Sequence, residues 1–351
     1  MTEQSSTVQD PAEPVTTSAA VETIQQTATG SSVTSPTSRD LDFYFRCAVV
    51  VIGVVGTAAN ALVLYAMVAS GEHKKHVLIL NQNALDFASC FFLVVTYAVI
   101  LCNIPVTGTH GYWLCLTILG ETLYWCPLLG STINLATISI ERYLKIVHSS
   151  WSKTRLSNRK IYAASAFAWI GSTIIIVAAS FSTTKVLDGI CYVNMFWESD
   201  AAQMAYGIWY FLSFDVILLA IFIFCYWRIL VVIRRQAKVM SGHVAAGPGS
   251  THAHQSHKIQ SNIIKTMSTV TIFFVLSWTP LNVYYSIVVN DSQLSSVQNT
   301  YYYPLIFMAF LYICTINPFI YATKFDPVKG VLLRLIPCKN SVQPVLNVAP
   351  A

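Results

Sequence analysis

The stretch FYFRCAVVVIGVVGTAANALVLYAMVA, residues 43–69, indicates the fold class of this chain. Arg46 is its one charged residue, and almost every other side chain is apolar or small. A membrane-spanning helix needs about 20 mostly apolar residues, because the hydrocarbon core is about 30 Å thick and each helical residue rises about 1.5 Å. The stretch is therefore long enough to cross a bilayer.

Six further stretches meet the same criterion. Together the predicted spans lie at about residues 43–69, 77–102, 114–140, 161–181, 204–227, 263–289 and 301–322. The composition, 54% hydrophobic and 11% charged residues, does not describe a soluble surface. Strands of a membrane β-barrel alternate polar and apolar residues, whereas residues 49–55 and 174–177 are apolar throughout. We predict an all-α membrane protein, a seven-transmembrane helix bundle.

The basic residues set the orientation of the predicted bundle. With the N-terminus outside, all of the 21 Lys and Arg residues except Arg39, Arg46 and Lys185 lie on the cytoplasmic side, as the positive-inside rule requires. The net charge of +5 is thus a topology signal. No basic arm of the kind that binds nucleic acid is present, so nucleic acid is excluded as a partner. We expect a multi-pass protein of the plasma membrane with an extracellular N-terminus.

The chain divides into three regions. Residues 1–42 are rich in Ser, Thr and Pro and predict a disordered extracellular arm. Residues 43–323 form the seven-helix domain. Residues 324–351 begin with an amphipathic segment that opens on Asp326-Pro327 and is predicted to lie along the inner membrane surface. Cys338 comes after it, at a position where a palmitoyl chain could attach.

Polar side chains inside the spans are functional candidates, because burying them in lipid is unfavourable. Counting along the spans places Asp86, Asn60, Ser131 and Asn317 at a similar depth. They could bond to one another and hold helices together, or they could form an ion site. The residues alone leave both interpretations open. No structural metal site is predicted, because the three His residues at 252, 254 and 257 have no carboxylate or Cys beside them.

Several separate motifs succeed one another along the chain. They are Asn60, Asn81 to Asp86, Glu141-Arg142-Tyr143, Trp169, Tyr226, Ser277-Trp278-Thr279-Pro280 and Asn317-Pro318-Phe319-Ile320-Tyr321. The pattern resembles the rhodopsin-like (class A) G-protein-coupled receptors over about residues 43–338. It is similar to invertebrate orphan receptors near the peptide-binding groups. The fold and the function that this resemblance implies are expectations for the present chain.

The resemblance implies an ion site and a switch. A sodium ion would bind at rest and leave on activation, with Asp86, Ser131, Asn317, Asn60 and Trp278 around it; no other cofactor is implied. Arg142 would be held by Glu141 at rest and freed to meet the C-terminal helix of a heterotrimeric G protein. The switch residues are Glu141, Arg142, Tyr143, Tyr226 and Tyr321. Pro280 and Pro318 would act as hinges, since proline removes a helix hydrogen bond.

The resemblance also implies a disulfide between Cys115 and Cys191, which would both face the oxidising exterior. Cys115 precedes Arg142 by 27 residues, more than is usual in the family, which predicts a longer start to the third span or a local bulge. The fifth span lacks the usual proline and has Leu218 near its place. A straighter fifth helix is expected.

The outer half of the bundle suggests the ligand class. A retinal pigment needs a lysine in the seventh span, and residues 301–323 contain none. Receptors for amines place an Asp where this chain has Tyr124. The predicted ligand pocket comprises Tyr97, Glu121, Tyr124, Asp215, Trp278, Asn282, Tyr285, Tyr303 and Phe307. Its two acids could pair with a cationic group of a ligand, which favours a peptide, although Glu121 could be a rim residue and Asp215 could bond within the bundle.

Other function classes remain as alternatives. A seven-helix transporter would need an internal repeat or a line of acids through the bundle, and no repeat is seen. An intramembrane hydrolase would need Ser-His, paired Asp or zinc-binding His residues, and no His lies in any predicted span. The sequence predicts a G-protein-coupled receptor and not an enzyme; the alternative is a transporter or a non-signalling membrane protein.

Overall fold

The computed structural model describes residues 36–193, 196–242, 250–288 and 298–335. Within them, seven helices are long and apolar enough to cross a membrane. The predicted seven-helix fold is therefore confirmed. Most of the predicted N-terminal arm and the tail that contains Cys338 lie outside the described residues.

Except for the second span, which ends one residue earlier than predicted, the spans are longer than the sequence predicts. Spans one, two, four and six are single helices, at Pro36–Ala69, Val77–Leu101, Asn158–Thr183 and Ser250–Val288. Spans three, five and seven are each two helices joined through a wide π-helical turn. The third combines Gly108–Leu114, Cys115–Leu119 and Thr122–Val147. The fifth combines Asp200–Phe211, Leu212–Val216 and Ile217–Gly242. The seventh combines Gln298–Leu311, Tyr312–Ile316 and Asn317–Lys324.

Short elements connect the spans. A 3₁₀ turn, Glu72–Lys74, comes after the first span, and a short helix, Ser149–Arg155, comes after the third. Strands β1 (Lys185–Leu187) and β2 (Ile190–Tyr192) pair antiparallel between spans four and five. The predicted amphipathic helix after the last span is present as Asp326–Leu335.

The bundle buries polar residues beside its apolar core and exposes other apolar side chains, as a lipid-facing protein does. Asn60, Asp86 and Asn317 are fully buried, while Phe167 and Ile174 are more than 60% exposed. In the most apolar part of the third span 72% of the residues are buried, against 17% in the fourth. The third span is therefore the central helix of the bundle, and the fourth lies at its edge.

Small residues let the first and seventh spans approach closely. A Cβ atom added at Gly56 would lie 2.5 Å from the Cβ and 2.6 Å from the Cα of Cys314. Gly130 plays a similar part between spans three and four, where an added Cβ would lie 2.9 Å from the carbonyl oxygen of Ala168. Close approach at small residues is how helices pack in lipid, where no hydrophobic driving force acts between them.

The start of the third span contains the predicted bulge. The π-helical turn Cys115–Leu119 is succeeded by Glu121, whose φ of 56° lies in the left-handed region. The extra length between Cys115 and Arg142 is accommodated there, so the prediction of a bulge is confirmed. In the fifth span the missing proline led us to expect a straighter helix, but Leu212–Val216 forms a π-helical turn. Such turns interrupt the hydrogen-bond ladder without proline and are common sites of kinks.

Candidate functional site

Asp86 lies at the centre of a buried polar cluster. Its Oδ1 accepts hydrogen bonds from the Ser131 hydroxyl at 2.6 Å and from the Gln82 amide nitrogen at 3.3 Å. Its Oδ2 accepts a hydrogen bond from the amide nitrogen of Asn317. The second, third and seventh spans therefore meet at this carboxylate. Three of the five predicted sodium-site residues are brought together, and Gln82 joins them.

The other two predicted members make different contacts. Asn60 donates to the carbonyl of Gly56 at 3.0 Å and to the sulfur of Cys90 at 3.7 Å, because its amide reaches back to the preceding turn of its own helix. The ring of Trp278 contacts the ring of Trp125, with centroids 6.2 Å apart. Neither residue contributes a hydrogen bond to Asp86 within the described part of the chain, so their membership of an ion site stays a prediction.

The arrangement around Asp86 does not fit a sodium ion. Hard cations are held by oxygen atoms, whereas Asp86 meets two amide N–H groups and one hydroxyl that donates to it. Gln82 was missed by the sequence reasoning, although it lies four residues before Asp86 and therefore on the same face of the second helix. That spacing is the signal that would have found it.

Near the C-terminal end of the third span, the Glu141 carboxylate forms ion pairs with two cations. Its Oε2 lies 3.1 Å from Nε of Arg142, and its Oε1 lies 2.5 Å from Nζ of Lys145. The Glu141 side chain is 7% exposed and that of Arg142 is 11% exposed, so solvent screens this pair only weakly. The predicted contact between Glu141 and Arg142 is present, and Lys145 is an addition that the sequence reasoning did not name.

The predicted switch tyrosines have separate surroundings. The Tyr226 hydroxyl lies 3.3 Å from that of Ser139 and 3.1 Å from that of Thr271, so it bridges the third and sixth spans. Tyr321 is fully buried. Tyr143 instead contacts His148 beyond the end of the third span, with its hydroxyl 3.1 Å from Nε2. Tyr143 thus lies apart from the other two.

The two predicted hinges differ in their positions. Pro280 lies inside the long sixth helix, where it removes a backbone hydrogen bond. Pro318 lies in the first turn of the helix Asn317–Lys324, directly after the π-helical turn Tyr312–Ile316. At the start of a helix proline is tolerated, because its missing N–H would have no partner there anyway. The interruption of the seventh span therefore coincides with the π-helical turn.

The predicted ligand residues form two groups. The first surrounds Phe45, whose ring centroid lies 4.7 Å from that of Tyr303, 6.2 Å from that of Tyr97 and 6.5 Å from that of Phe307. Tyr303 also donates to Asp42 at 3.2 Å. This aromatic cluster joins the first, second and seventh spans.

The second group lines a small cavity between spans three, five and six. Its volume is about 20 Å³, room for one water molecule. Its walls are Trp125, Leu128, Leu129, Thr132, Tyr210, Phe214, Phe274, Trp278 and Asn282. Of the predicted pocket residues, Trp278 and Asn282 line it. Trp125 and Tyr210 are aromatic residues that the sequence also places in the outer half of the bundle, although they are not among the predicted pocket residues, and Phe214 was not predicted.

The two predicted acids, Asp215 and Glu121, form hydrogen bonds with different members of these groups. Asp215 accepts a hydrogen bond from Asn282 at 3.0 Å, next to the cavity. Glu121 accepts from the Trp125 indole at 3.1 Å and from Tyr97, so it touches both groups. Tyr124 does not face the cavity, because it is buried against Phe310 with ring centroids 5.4 Å apart. The side chain of the remaining predicted residue, Tyr285, lies outside the described residues.

The predicted disulfide is present. Cys115 and Cys191 are bonded, with their Cα atoms 5.5 Å apart. Cys191 lies on β2, so the bond ties the β-hairpin to the start of the third span. The bridge fixes the hairpin at the end of the bundle where the third span begins.

The comparisons with known proteins agree with this geometry. A family model described as 7 transmembrane receptor (rhodopsin family) matches residues 59–321. The neuropeptide Y receptor type 2 of Mus musculus is 27% identical over 320 residues, which are 85% of this chain and 77% of that one. The lysophosphatidic acid receptor 3 of Homo sapiens is 24% identical over 298 residues, covering 82% of this chain and 76% of its own.

The structural comparison shows the same fold. The crystal structure of squid rhodopsin matches with a TM-score of 0.68 and 18% identity, covering 88% of this chain and 91% of that chain. The match of the family model extends over most of the chain and includes the motifs from Asn60 to Tyr321. The chain therefore belongs to the rhodopsin family of seven-transmembrane, G-protein-coupled receptors, multi-pass proteins of the plasma membrane that carry an extracellular signal to a G protein.

Proposed function

We propose that the extracellular ligand of this receptor is a peptide with a cationic group, recognised between the third, fifth and sixth spans. The observation that carries the proposal is the presence of two acids, Glu121 and Asp215, beside an aromatic cavity whose described lining contains no basic residue. A cation placed there gains both carboxylate and aromatic partners.

Two buried polar atoms beside the cavity support a polar ligand. Oδ2 of Asp215 and the indole nitrogen of Trp278 have no hydrogen-bond partner among the described residues. An unsatisfied buried acceptor or donor costs about 1–3 kcal/mol. A peptide group offers both an N–H donor and a carbonyl acceptor, so one ligand can satisfy both atoms.

The two relatives are named for ligands of different classes. One is named for a neuropeptide and the other for a lysophosphatidic acid. An acid would need a basic partner. In the described outer half, Arg46 is paired with Asp42 at 2.7 Å and Lys185 lies over the ring of Phe196 at 4.5 Å. The charges near the cavity therefore favour the peptide.

The N-terminus of the receptor faces the cell exterior in this proposal. Spans one and three run in the same direction, so the start of the first span lies on the side of the Cys115–Cys191 disulfide. Disulfides persist in the oxidising exterior. The distribution of Lys and Arg supports the same orientation. An epitope tag at the N-terminus should be labelled by antibody on intact cells; labelling only after permeabilisation would contradict it.

The signal leaves the bundle through Arg142. Glu141 holds this guanidinium at 3.1 Å and is itself bound by Lys145. A ligand that prefers a state in which the pair is open shifts the population towards that state. The freed Arg142 then meets the C-terminal helix of a heterotrimeric G protein. The sequence family supports this coupling.

Nucleotide exchange on a panel of purified heterotrimeric G proteins tests the coupling. Membranes that contain the receptor should accelerate exchange when challenged with peptide pools, and Arg142→Ala should abolish the acceleration with surface expression retained. Lys74→Ala is the matched control, because Lys74 is an exposed cation of the first cytoplasmic loop. Equal exchange by Arg142→Ala and the parent receptor would refute the assigned switch.

Asp215→Asn tests the ligand class. The substitution removes the charge but keeps an oxygen that accepts the bond from Asn282. The activating peptide should lose about tenfold to a hundredfold in potency, which corresponds to about 1.4–2.8 kcal/mol. Glu198→Gln is the control, because Glu198 is an exposed acid of an outer loop. Activation by anionic lysophospholipid, with potency unchanged by Asp215→Asn, would overturn the proposal of a cationic peptide.

A further inference from the structure

A chain of side-chain hydrogen bonds crosses the bundle from the fourth span towards Asp86. The indole N–H of Trp169 donates to Oδ1 of Asn81 at 2.9 Å. The amide nitrogen of Asn81 donates to Oδ1 of Asn134 at 2.9 Å. The fourth, second and third spans are thus joined by side chains alone.

The chain continues from Asn134 to the carboxylate. The amide nitrogen of Asn134 donates to Oε1 of Gln82 at 2.8 Å and to the backbone carbonyl of Leu78 at 2.9 Å. The amide nitrogen of Gln82 then donates to Asp86 at 3.3 Å and to the hydroxyl oxygen of Ser131. Gln82 is 1% exposed and Asn134 is fully buried, so water does not compete for these bonds.

The two ends of the chain fix the direction of every amide between them. An amide can normally be reversed, because its oxygen and nitrogen have similar shapes. Here the indole of Trp169 can only donate and the carbonyl of Leu78 can only accept. Reversing Gln82 would bring its oxygen against the Asp86 carboxylate and its nitrogen against that of Asn134. Both contacts would be repulsive, so Gln82 must present N–H groups to Asp86.

We propose that the Gln82 amide takes the place of a cation beside Asp86, so that this receptor does not respond to sodium ions. The carboxylate receives its partners from within the protein, from Gln82, Ser131 and Asn317. A sodium ion would need an oxygen atom where Gln82 holds N–H groups. The proposal rests on Gln82 and not on Asn317, because Oδ1 of Asn317 has no partner among the described residues and nothing fixes the direction of that amide.

This inference goes beyond the proposed function and replaces the sodium ion that the resemblance implies. It also gives Asn134 a role, which is to fix the direction of the Gln82 amide. That residue acts through Gln82 and is a positioning residue, since it touches neither Asp86 nor Ser131 in the described hydrogen-bond network. Removing Asn134 frees Gln82 to turn its oxygen towards the site. Removing the Gln82 amide vacates the place beside Asp86 that a sodium ion would occupy.

The melting temperature of the purified receptor in NaCl and in N-methylglucamine chloride, at the same ionic strength of about 0.15 M, tests the proposal without any G protein or ligand. The parent receptor should melt at the same temperature in both salts. Gln82→Leu, which removes the amide at similar size, should melt about 2–4 °C higher in NaCl, because an ion that binds the folded state stabilises it. The gain should disappear in Gln82→Leu combined with Asp86→Asn.

Two further variants complete the test. Asn134→Leu should also gain a response to sodium. It replaces Gln82→Leu as the test variant if Gln82→Leu does not fold. Asn83→Leu is the matched control, because Asn83 is a buried amide on the same span that bonds to the carbonyl of Ile79; it should stay unresponsive. A sodium-dependent rise in the parent receptor would overturn the proposal. So would folded Gln82→Leu and Asn134→Leu variants that both ignore sodium.

Discussion

Replacing Gly56 by Ala should destabilise the bundle where the first and seventh spans meet. The added methyl group would lie 2.5 Å from Cβ, 2.6 Å from Cα and 2.8 Å from the carbonyl oxygen of Cys314. Two of these three atoms belong to the backbone, so a change of rotamer cannot relieve the contact. One of the two spans has to move.

The size of the effect depends on two opposing contributions. Overpacking a well-packed core costs about 1–3 kcal/mol. Ala is better than Gly within a helix by up to about 1 kcal/mol. Gly207 provides the correction for this helix preference, because it lies in the helix Asp200–Phe211 and an added Cβ would meet no heavy atom within 4 Å. The difference between the Gly56→Ala and Gly207→Ala receptors is therefore the packing cost alone.

Thermal unfolding of the purified receptors measures that difference. The backbone contact places Gly56→Ala in the upper part of the range, about 2–3 kcal/mol, so it should melt about 4–12 °C below Gly207→Ala. Gly207→Ala itself should melt at or slightly above the parent receptor. Equal melting temperatures for the two variants would show that the first and seventh spans are not in contact at Gly56, and would refute the packing that places Cys314 there.

Two more predictions concern the ends of the bundle. Cys115→Ser should lower the melting temperature as much as Cys115→Ser combined with Cys191→Ser. The loss in unfolding free energy should be less than the about 4.5 kcal/mol that closing a free loop of 76 residues gives, since the inserted spans already restrict the chain. Additive losses would contradict a bond between the two residues. Burial lowers the pKa of His76 from its usual 6.5 to about 4, so the folded receptor holds it neutral, and stability should be complete above about pH 6.5 and fall as the pH drops towards 4. His76→Asn should flatten the profile of melting temperature against pH in that window, whereas His110→Asn, at an exposed histidine, should leave it unchanged.

The number of spans and the family could be predicted from local properties of the chain. Each span is a run of apolar residues longer than the hydrocarbon core is thick, which can be counted without knowing what it packs against. The ends were less accurate. The third span continues to Val147 and not to residue 140, because a helix extends into water through residues that an apolar criterion does not count.

The interior contacts of the bundle required the tertiary structure. Asn60 was assigned to Asp86 from its depth in the membrane and Trp278 from the family resemblance, but the contacts of each are with other residues. Depth can be obtained by counting residues along a span, whereas the facing direction depends on the rotation of each helix about its axis. One residue changes that direction by about 100°, because a turn holds 3.6 residues. A π-helical turn such as Cys115–Leu119 shifts the rotation of everything beyond it.

Composition, motifs and length were therefore enough to predict that seven helices cross a membrane, that Cys115 and Cys191 pair by resemblance, and that extra residues near the start of the third span produce a bulge. The contact between Gln82 and Asp86, and the amide direction that Asn134 imposes on Gln82, required the packed bundle. Gln82 and Asn134 lie 52 positions apart, and their geometry exists only once the helices are packed against one another.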